Sequence, residues 1–197
     1  MGFYTRGTRR KYRRQMQQTP HVHKNLINQA FNITEKNNVW YGDITYIPTN
    51  EGMLYISAFI DAYTRKCVGY CIDSHMRDSL VIQSLENALV REKPDAGLIV
   101  HSDQGSQYTG HRFYEFTKAI GIQLSHSRKG NPYDNAVMES FLKSFKREVL
   151  DEKQFKTKQA AVTECLVYLE TYYNHERIHS SIGYKTPEEA SQSTKSS

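Results

Sequence analysis

The 197-residue chain predicts an α/β domain built on a five-stranded mixed sheet flanked by helices. Three observations predict it. Strand-like runs follow one another at 39–47, 53–61 and 66–72, joined by segments too short for a crossover, so they form an antiparallel meander. Helix and strand patterns then alternate: a helix over 78–92, a strand over 97–102, a helix over 110–120 and a strand over 122–126. Two long helical stretches, 132–149 and 158–173, complete the pattern.

Each element has its own reason. The first strand, Val39 to Ile47, is rich in β-branched and aromatic residues. The second is apolar on both faces, with Leu54, Ile56, Ala58 and Ile60 on one and Tyr55 and Phe59 on the other, as in a covered central strand. Helix 78–92 takes Asp78 as its cap and places Val81, Ile82, Leu85, Ala88 and Leu89 on one face. Helix 132–149 takes Asn131 as its cap, with Pro132 at the first helical position. Helix 158–173 carries Val162, Cys165, Leu166, Leu169, Tyr172 and Tyr173 as a buried stripe. Thr186-Pro187-Glu188-Glu189 reads as a capping box opening a last short helix. Three strands followed by alternating helix and strand match a ribonuclease-H-like domain better than a sandwich or a bundle.

The net charge of +5 is unevenly spread. Residues 1–34 hold seven basic residues (Arg6, Arg9, Arg10, Lys11, Arg13, Arg14 and Lys24) and no acidic one, which leaves 19 basic against 21 acidic in the remainder. The division expected is a basic, flexible or partly helical arm over 1–37, a core over 38–190 and a disordered tail over 191–197. A basic block of this kind favours a polyanion without sequence specificity. No apolar run approaches the roughly 20 residues that a membrane helix needs, and no signal peptide opens the chain. Cys67, Cys71 and Cys165 contain no Cys-x-x-Cys pair and read as reduced cytosolic thiols.

Three carboxylates carry the chemistry. Asp43 lies inside the first strand, where aspartate is disfavoured. Asp103 follows the strand 97–102 and enters a Gly-containing turn. Glu139 stands 35 intervening residues later, within a helical segment. Two strand-end aspartates and a helical glutamate can converge in an α/β domain. Oxygen donors without a thiolate suit Mg²⁺ or Mn²⁺, and a pair of such ions suits in-line displacement at phosphorus. Asn135, Glu139, Lys143 and Lys146 recur at helical spacing, so an amide, a carboxylate and two lysines share one face.

Trp40-Tyr41-Gly42-Asp43-Ile44-Thr45, His101-Ser102-Asp103-Gln104-Gly105-Ser106-Gln107-Tyr108 and Asp134-Asn135-Ala136-x-x-Glu139-Ser140-Phe141 resemble segments of the DDE transposases. The likeness is to the insertion-sequence-three branch, whose core is similar to retroviral integrases. Further matches are Ile60-Asp61-Ala62-Tyr63-Thr64-Arg65, Ser127-Arg128-Lys129-Gly130-Asn131, and Tyr173-Asn174-His175-Glu176-Arg177-x-His179 through Tyr184-x-Thr186-Pro187. Together they run from about residue 38 to 190.

The resemblance implies an integrase-like core that cleaves DNA 3′ ends and joins them to a target. Asp43, Asp103 and Glu139 would be both catalytic residues and ligands to Mg²⁺, with Mn²⁺ as a substitute and two ions in all. It implies DNA partners (terminal repeats and target), a homo-oligomer on DNA and a bacterial cytoplasmic, nucleoid-associated setting. Lys146, Lys143, Arg128, Lys129 and Asn135 are the DNA-contact candidates in the core, and Arg9, Arg10, Lys11, Arg13 and Arg14 those in the arm. Members of the branch usually carry a helix-turn-helix region ahead of the core. Only a short basic arm precedes it here, so the chain reads as a catalytic fragment or a separately translated product.

Other polar residues are weighed against these. Asp61 ends a strand but matches a position outside the triad. Asp134 suits the positive end of a helix dipole. His101 shares a face with Asp103, which fits either a neighbouring contact to the site or core packing. His175 and His179 have the spacing of a zinc pair but no third ligand. Two rival functions remain open at this stage: a ribonuclease-H-like nuclease that does not join strands, and a noncatalytic DNA-binding regulator of transposition.

Overall fold

The computed structural model describes residues 20–27, 33–128, 131–151 and 153–193. The arm candidates Arg9, Arg10, Lys11, Arg13 and Arg14, together with Lys129 and the last four residues, lie outside them. The elements are β1 (Val39–Thr49), β2 (Gly52–Asp61), β3 (Cys67–Asp73), α1 (Asp78–Glu92), β4 (Ile99–Ser102), α2 (His111–Ala119), β5 (Gln123–His126), α3 (Ala136–Phe145), α4 (Lys158–Val167) and α5 (Pro187–Ser193). The sheet order is β3-β2-β1-β4-β5. β1, β2 and β3 pair antiparallel, as the short connections require, while β4 and β5 run parallel to β1. This is the five-stranded mixed sheet of a ribonuclease-H-like fold, as the element order predicts.

Alternation along the strands divides the core into two layers. Tyr41, Ile47, Leu54, Ile56, Ala58 and Ile60 face one side, against Met138, Phe141 and Phe145 of α3 and Ala161 and Cys165 of α4. Trp40, Phe59, Val68, Val100 and Leu124 face the other, against Val81, Leu85 and Ala88 of α1 and Phe113 of α2. β2 lies between β1 and β3 and is buried on both faces, and its Ser57 hydroxyl reaches Ser84 of α1 at 2.8 Å. α1 crosses β3 very closely. A Cβ added at Gly69 would stand 2.5 Å from both the Cβ and the backbone nitrogen of Ala88.

Several local expectations need correction. Asp78 is the first residue of α1 rather than its cap; Arg77 holds the cap position without a side-chain bond, so the carboxylate acts through the helix dipole. The stretch read as one helix from 132 is a 3₁₀ turn (Pro132–Asn135), then α3, then a π-helical turn (Lys146–Leu150), and Asn135 rather than Asn131 precedes the α-helix proper. The stretch after 158 likewise ends in a π-helical turn, Tyr168–Tyr173. These wider turns shift the helical phase. Ala161, Cys165, Tyr168, Leu169 and Tyr173 point inward, while Leu166 and Tyr172 are about 40% exposed. The capping box forms as read: the Thr186 N–H donates to the Glu189 carboxylate at 2.9 Å and the Glu189 N–H to the Thr186 hydroxyl at 3.2 Å. Residues 20–27 do not stand off as an arm, because the N–H groups of His21, His23 and Leu26 donate to Thr109 O, His126 Nδ1 and Ser125 Oγ. Among the described residues no helix is long and apolar enough to cross a membrane.

The α1–β3 contact yields a test. Gly69→Ala puts a methyl group where helix backbone stands, so it should lower stability by about 1–3 kcal/mol. Urea denaturation monitored by circular dichroism reads this as a lower midpoint at an unchanged slope. An unshifted midpoint would mean that α1 can back away at little cost.

Candidate active site

Sheet register brings the two aspartates together. Gly42 on β1 partners Ser102 on the parallel β4. Asp43 and Asp103 are the next residue of each, so they leave the same ladder side by side, where strands stand about 4.8 Å apart. Tyr41 and Asp43 project on the α3 side of the sheet, and α3 lies across that layer with Met138, Phe141 and Phe145 turned inward. Glu139, next to Met138, therefore emerges at the helix margin and is exposed, as is Asp103; Asp43 is half-buried.

Each aspartate is oriented by its own backbone. One Asp43 oxygen accepts the Ile44 N–H at 2.7 Å. One Asp103 oxygen accepts the Gly105 N–H at 2.8 Å, closing the turn that Asp-Gln-Gly-Ser suggests. A Cβ at Gly105 would come within 2.9 Å of that oxygen. The turn is fixed further by Thr109 and Tyr108, whose N–H groups donate to Gly105 O, and by Gln104, whose amide donates to Ser127 O at 3.0 Å. Glu139 has no hydrogen-bond partner among the described residues.

Burial pushes the Asp43 carboxyl up to about 6. Asp103 and Glu139 raise it further as like charges, while the Ile44 N–H and Lys146 work in the other direction. Asp43 thus feels both other carboxylates, and the donor set is oxygen alone, which suits a hard divalent cation. As placed, no three His, Cys, Asp or Glu side chains among the described residues stand close enough to ligate one ion. Closing the set takes side-chain rotation, for which the exposed, unbonded Glu139 has the freedom.

The other candidates divide. Lys143 and Lys146 are exposed and border, with Glu139, the same hollow on α3, as their spacing predicts. Lys146 also stands over the Tyr46 ring, 5.7 Å from its centre. Asn135 does not share that open face: it is 5% exposed and its side-chain oxygen has no partner. Arg128 clamps Asp134 with its backbone N–H (2.9 Å), Nε (3.0 Å) and Nη2 (2.9 Å), closing the 128–134 loop. Asp134 therefore serves the loop through that pair, with its side chain fully buried.

Asp61 is structural. Its carboxylate accepts the N–H groups of Asn37, Tyr63 and Thr64 and the Thr64 hydroxyl. His101 is fully buried, edge-on to Tyr41. Its ring nitrogens hydrogen-bond two hydroxyls, Nδ1 with Ser125 Oγ at 2.8 Å and Nε2 with Ser127 Oγ at 3.0 Å, and Ser125 Oγ also accepts the Leu26 N–H. Burial holds the ring neutral, with its pKa down at about 4. Of the two readings of His101, core packing is the one seen. Sequence inspection does not single out Tyr46 or Gln104, since each becomes legible only once its neighbour across the fold is known.

Residues 33–132 match the integrase core domain family, and residues 120–187 match a second integrase core domain family. The structure resembles the HTLV-2 integrase catalytic core domain in complex with magnesium, with a TM-score of 0.59 over 80% of this chain and 98% of that one; at 15% identity the likeness speaks to the fold. The domain is thus an integrase-type core. The transposase for insertion sequence element IS904 of Lactococcus lactis is 48% identical over 190 residues, covering 96% of this chain and 75% of that protein. Transposase InsF for insertion sequence IS3A of Escherichia coli K12 is 36% identical over 168 residues, covering 85% of this chain and 58% of that protein. The chain belongs to the IS3 family of integrase-like transposases. It spans between about half and three quarters of the length of these relatives.

The raised Asp43 carboxyl sets a pH test. A carboxyl whose folded pKa lies above its unfolded value of about 4 binds its proton more tightly when folded. Its contribution favours the fold below about pH 4 and is lost as pH rises through 6. Asp43→Asn removes that loss. In EDTA the variant should exceed the parent at pH 7 to 8 by on the order of 1–3 kcal/mol, with the gap closing towards pH 4. A gap that stays constant with pH in chemical denaturation would contradict the carboxylate argument.

Proposed function

We propose that this chain is the catalytic core of a DDE polynucleotidyl transferase, which cleaves DNA at 3′ ends and transfers those ends to target DNA. The observation that carries the reading is the parallel register that sets Asp43 beside Asp103, with α3 presenting Glu139 on the same side of the sheet. The family membership and a related fold that holds magnesium support it.

In this reading Asp43, Asp103 and Glu139 hold Mg²⁺, or Mn²⁺ in its place, as a pair of ions. When bound, the ions would activate the attacking water or 3′-hydroxyl and stabilise the leaving 3′-oxygen. The chain's own groups do the rest. The Ile44 and Gly105 N–H groups each fix one oxygen of an aspartate and leave the other without a hydrogen bond among the described residues. Lys143 and Lys146 face the strand along α3, and the arm, through Arg9, Arg10, Lys11, Arg13 and Arg14, supplies affinity for the backbone without sequence preference. The partners are terminal-repeat and target DNA and further copies of this chain.

The test incubates the full chain with element-end duplex and Mn²⁺, and resolves nicked from joined strands. Asp103→Asn and Glu139→Gln should each lower both products on the order of 10³-fold or more while circular dichroism is unchanged. Near-parental joining by either variant would remove that residue from the site. Nicking without joined product would favour the nuclease reading instead.

Lys146 gives a second test. It stands seven residues, roughly 10 Å, beyond Glu139 along the helix, within reach of a phosphate beside the scissile one. Lys146→Ala should weaken end binding and joining without altering the fold. Lys146→Arg should retain most activity, since both the phosphate contact and the Tyr46 ring accept a guanidinium. A Lys146→Ala protein that joins at the parental rate in moderate salt would return this lysine to the solvated surface.

A further inference from the structure

On the other flank of α3 lies a cavity of about 390 Å³, roofed by the β2–β3 turn and by residues 173–181. Arg65, Arg177, His179, Ser140, Ser144 and Ser181 line it. Arg65 is the anomaly. Its backbone is left-handed, at φ 63°, where a side chain is costly and glycine would be the easy choice. Two bonds hold it there, its N–H donating to Asp61 O and the Tyr173 hydroxyl donating to Arg65 O at 3.0 Å, while the Asp61 carboxylate pins the rest of the turn. The guanidinium so placed makes no hydrogen bond or ion pair with any described residue, and its Nη1 is fully buried. The residue is half-buried as a whole, but a polar nitrogen taken fully out of water is almost always hydrogen-bonded.

Among the described residues no carboxylate is available to it. Asp61 spends its oxygens on Asn37, Tyr63 and Thr64, and acts on Arg65 only through space. Glu148 is saturated by Arg177, Arg147 and Tyr168. Ser144 Oγ accepts from Arg177 Nη2 at 3.0 Å, which turns its own hydroxyl proton elsewhere. The local field is positive: after burial, Arg177 and Arg65 are what hold the neighbouring His179 down at about 4. The walls thus offer donors and no unengaged acceptor charge, which is the complement of a phosphate group.

We propose that this cavity is a phosphate-binding site, distinct from the carboxylates, in which Arg65 is the principal donor. Its occupant is a phosphodiester of the DNA strand passing along α3, because Ser140 directly follows Glu139 and the two flanks belong to one helix. The phosphate chemistry stands on the cavity alone, whereas the DNA source rests on the proposed function.

Two measurements test it, both on the full chain in EDTA so that the outcome is independent of joining. Inorganic phosphate, against sodium chloride at matched ionic strength, should raise the melting temperature of the parent protein. It should not raise that of Arg65→Gln. Ser181→Glu, at an exposed lip, brings an internal carboxylate to Arg65 and should melt higher than the parent with no phosphate response. That second variant keeps the proposal testable if Arg65→Gln fails to fold. For duplex DNA, both variants should reduce the slope of log K against log salt by about 1, the loss of one phosphate contact. A phosphate response lost in the variants with an unchanged DNA slope would uphold the site and overturn the DNA strand as its source. No phosphate response in the parent, with no change of slope, would overturn the site. Failure of the joining assay with these shifts intact would reject the proposed function and leave the phosphate site standing.

Discussion

The candidate site depends on one backbone constraint, the parallel pairing of β4 against β1 beside the antiparallel pairing of β2. The first fixes Gly42 against Ser102, and the second fixes Asp43 against Ala58. Together they determine which side of the sheet Asp43 faces and what stands next to it. A slip of one residue would turn Asp43 into the α1 layer and exchange Tyr41 for Trp40 among the α3 contacts. The two packed layers prevent that slip. Trp40 and Phe59 fill one and Tyr41 and Ile60 the other, and none can cross without leaving a void.

α3 joins this sheet to the rest of the chemistry. Its inner face is apolar, so its rotation is set by Met138, Phe141 and Phe145, and its two margins carry different polar groups. One margin presents the Glu139 carboxylate with Lys143 and Lys146, and the other borders the guanidiniums of Arg65 and Arg177. Polar clamps hold both ends. Arg128 on the buried Asp134 secures the entry loop, and Arg177 on Glu148, with the Tyr168 hydroxyl added, ties the exit turn to the segment after α4. Removing the Arg128 side chain would leave the buried Asp134 carboxylate without its guanidinium partner, whereas Arg128 itself is exposed. The family's tail motif has a structural content here: Asn174 bonds both backbone groups of Cys67 at the sheet edge, and Arg177 holds Glu148.

The layered architecture was legible because period-two and period-3.6 patterns are local, and short connections between strands leave little choice of topology. The meander, the alternating helices and the capping box at Thr186 all follow from residues within a few positions of one another. Asp43 could be singled out because an aspartate inside an apolar strand conflicts with its surroundings. Phase errors arose where tertiary packing widened a helix: the turn at 168–173 brings Tyr168 inward and Tyr172 outward, which strict α-helical counting reverses. Asn135 was misplaced for a related reason, since a 3₁₀ turn precedes α3. Arg65 was illegible. Nothing in Thr64-Arg65-Lys66 announces that one cation is left without a partner among the described residues while the next pairs with Glu92 and Glu188.

The docking of residues 20–27 on β5 and α2 sets a tether. His21 is bonded to Thr109, the far end of the same turn that begins at Asp103. Covalent geometry limits each residue to about 3.6 Å of reach, so the backbone of Arg14 lies within roughly 22 Å of Pro20 and that of Arg9 within roughly 40 Å. Covalent reach thus ties the basic segment to a point anchored on the turn that carries Asp103. A polyanion caught anywhere on that segment is thereby held at high local concentration at the mouth of the site, by chain length alone and without a single base-specific contact.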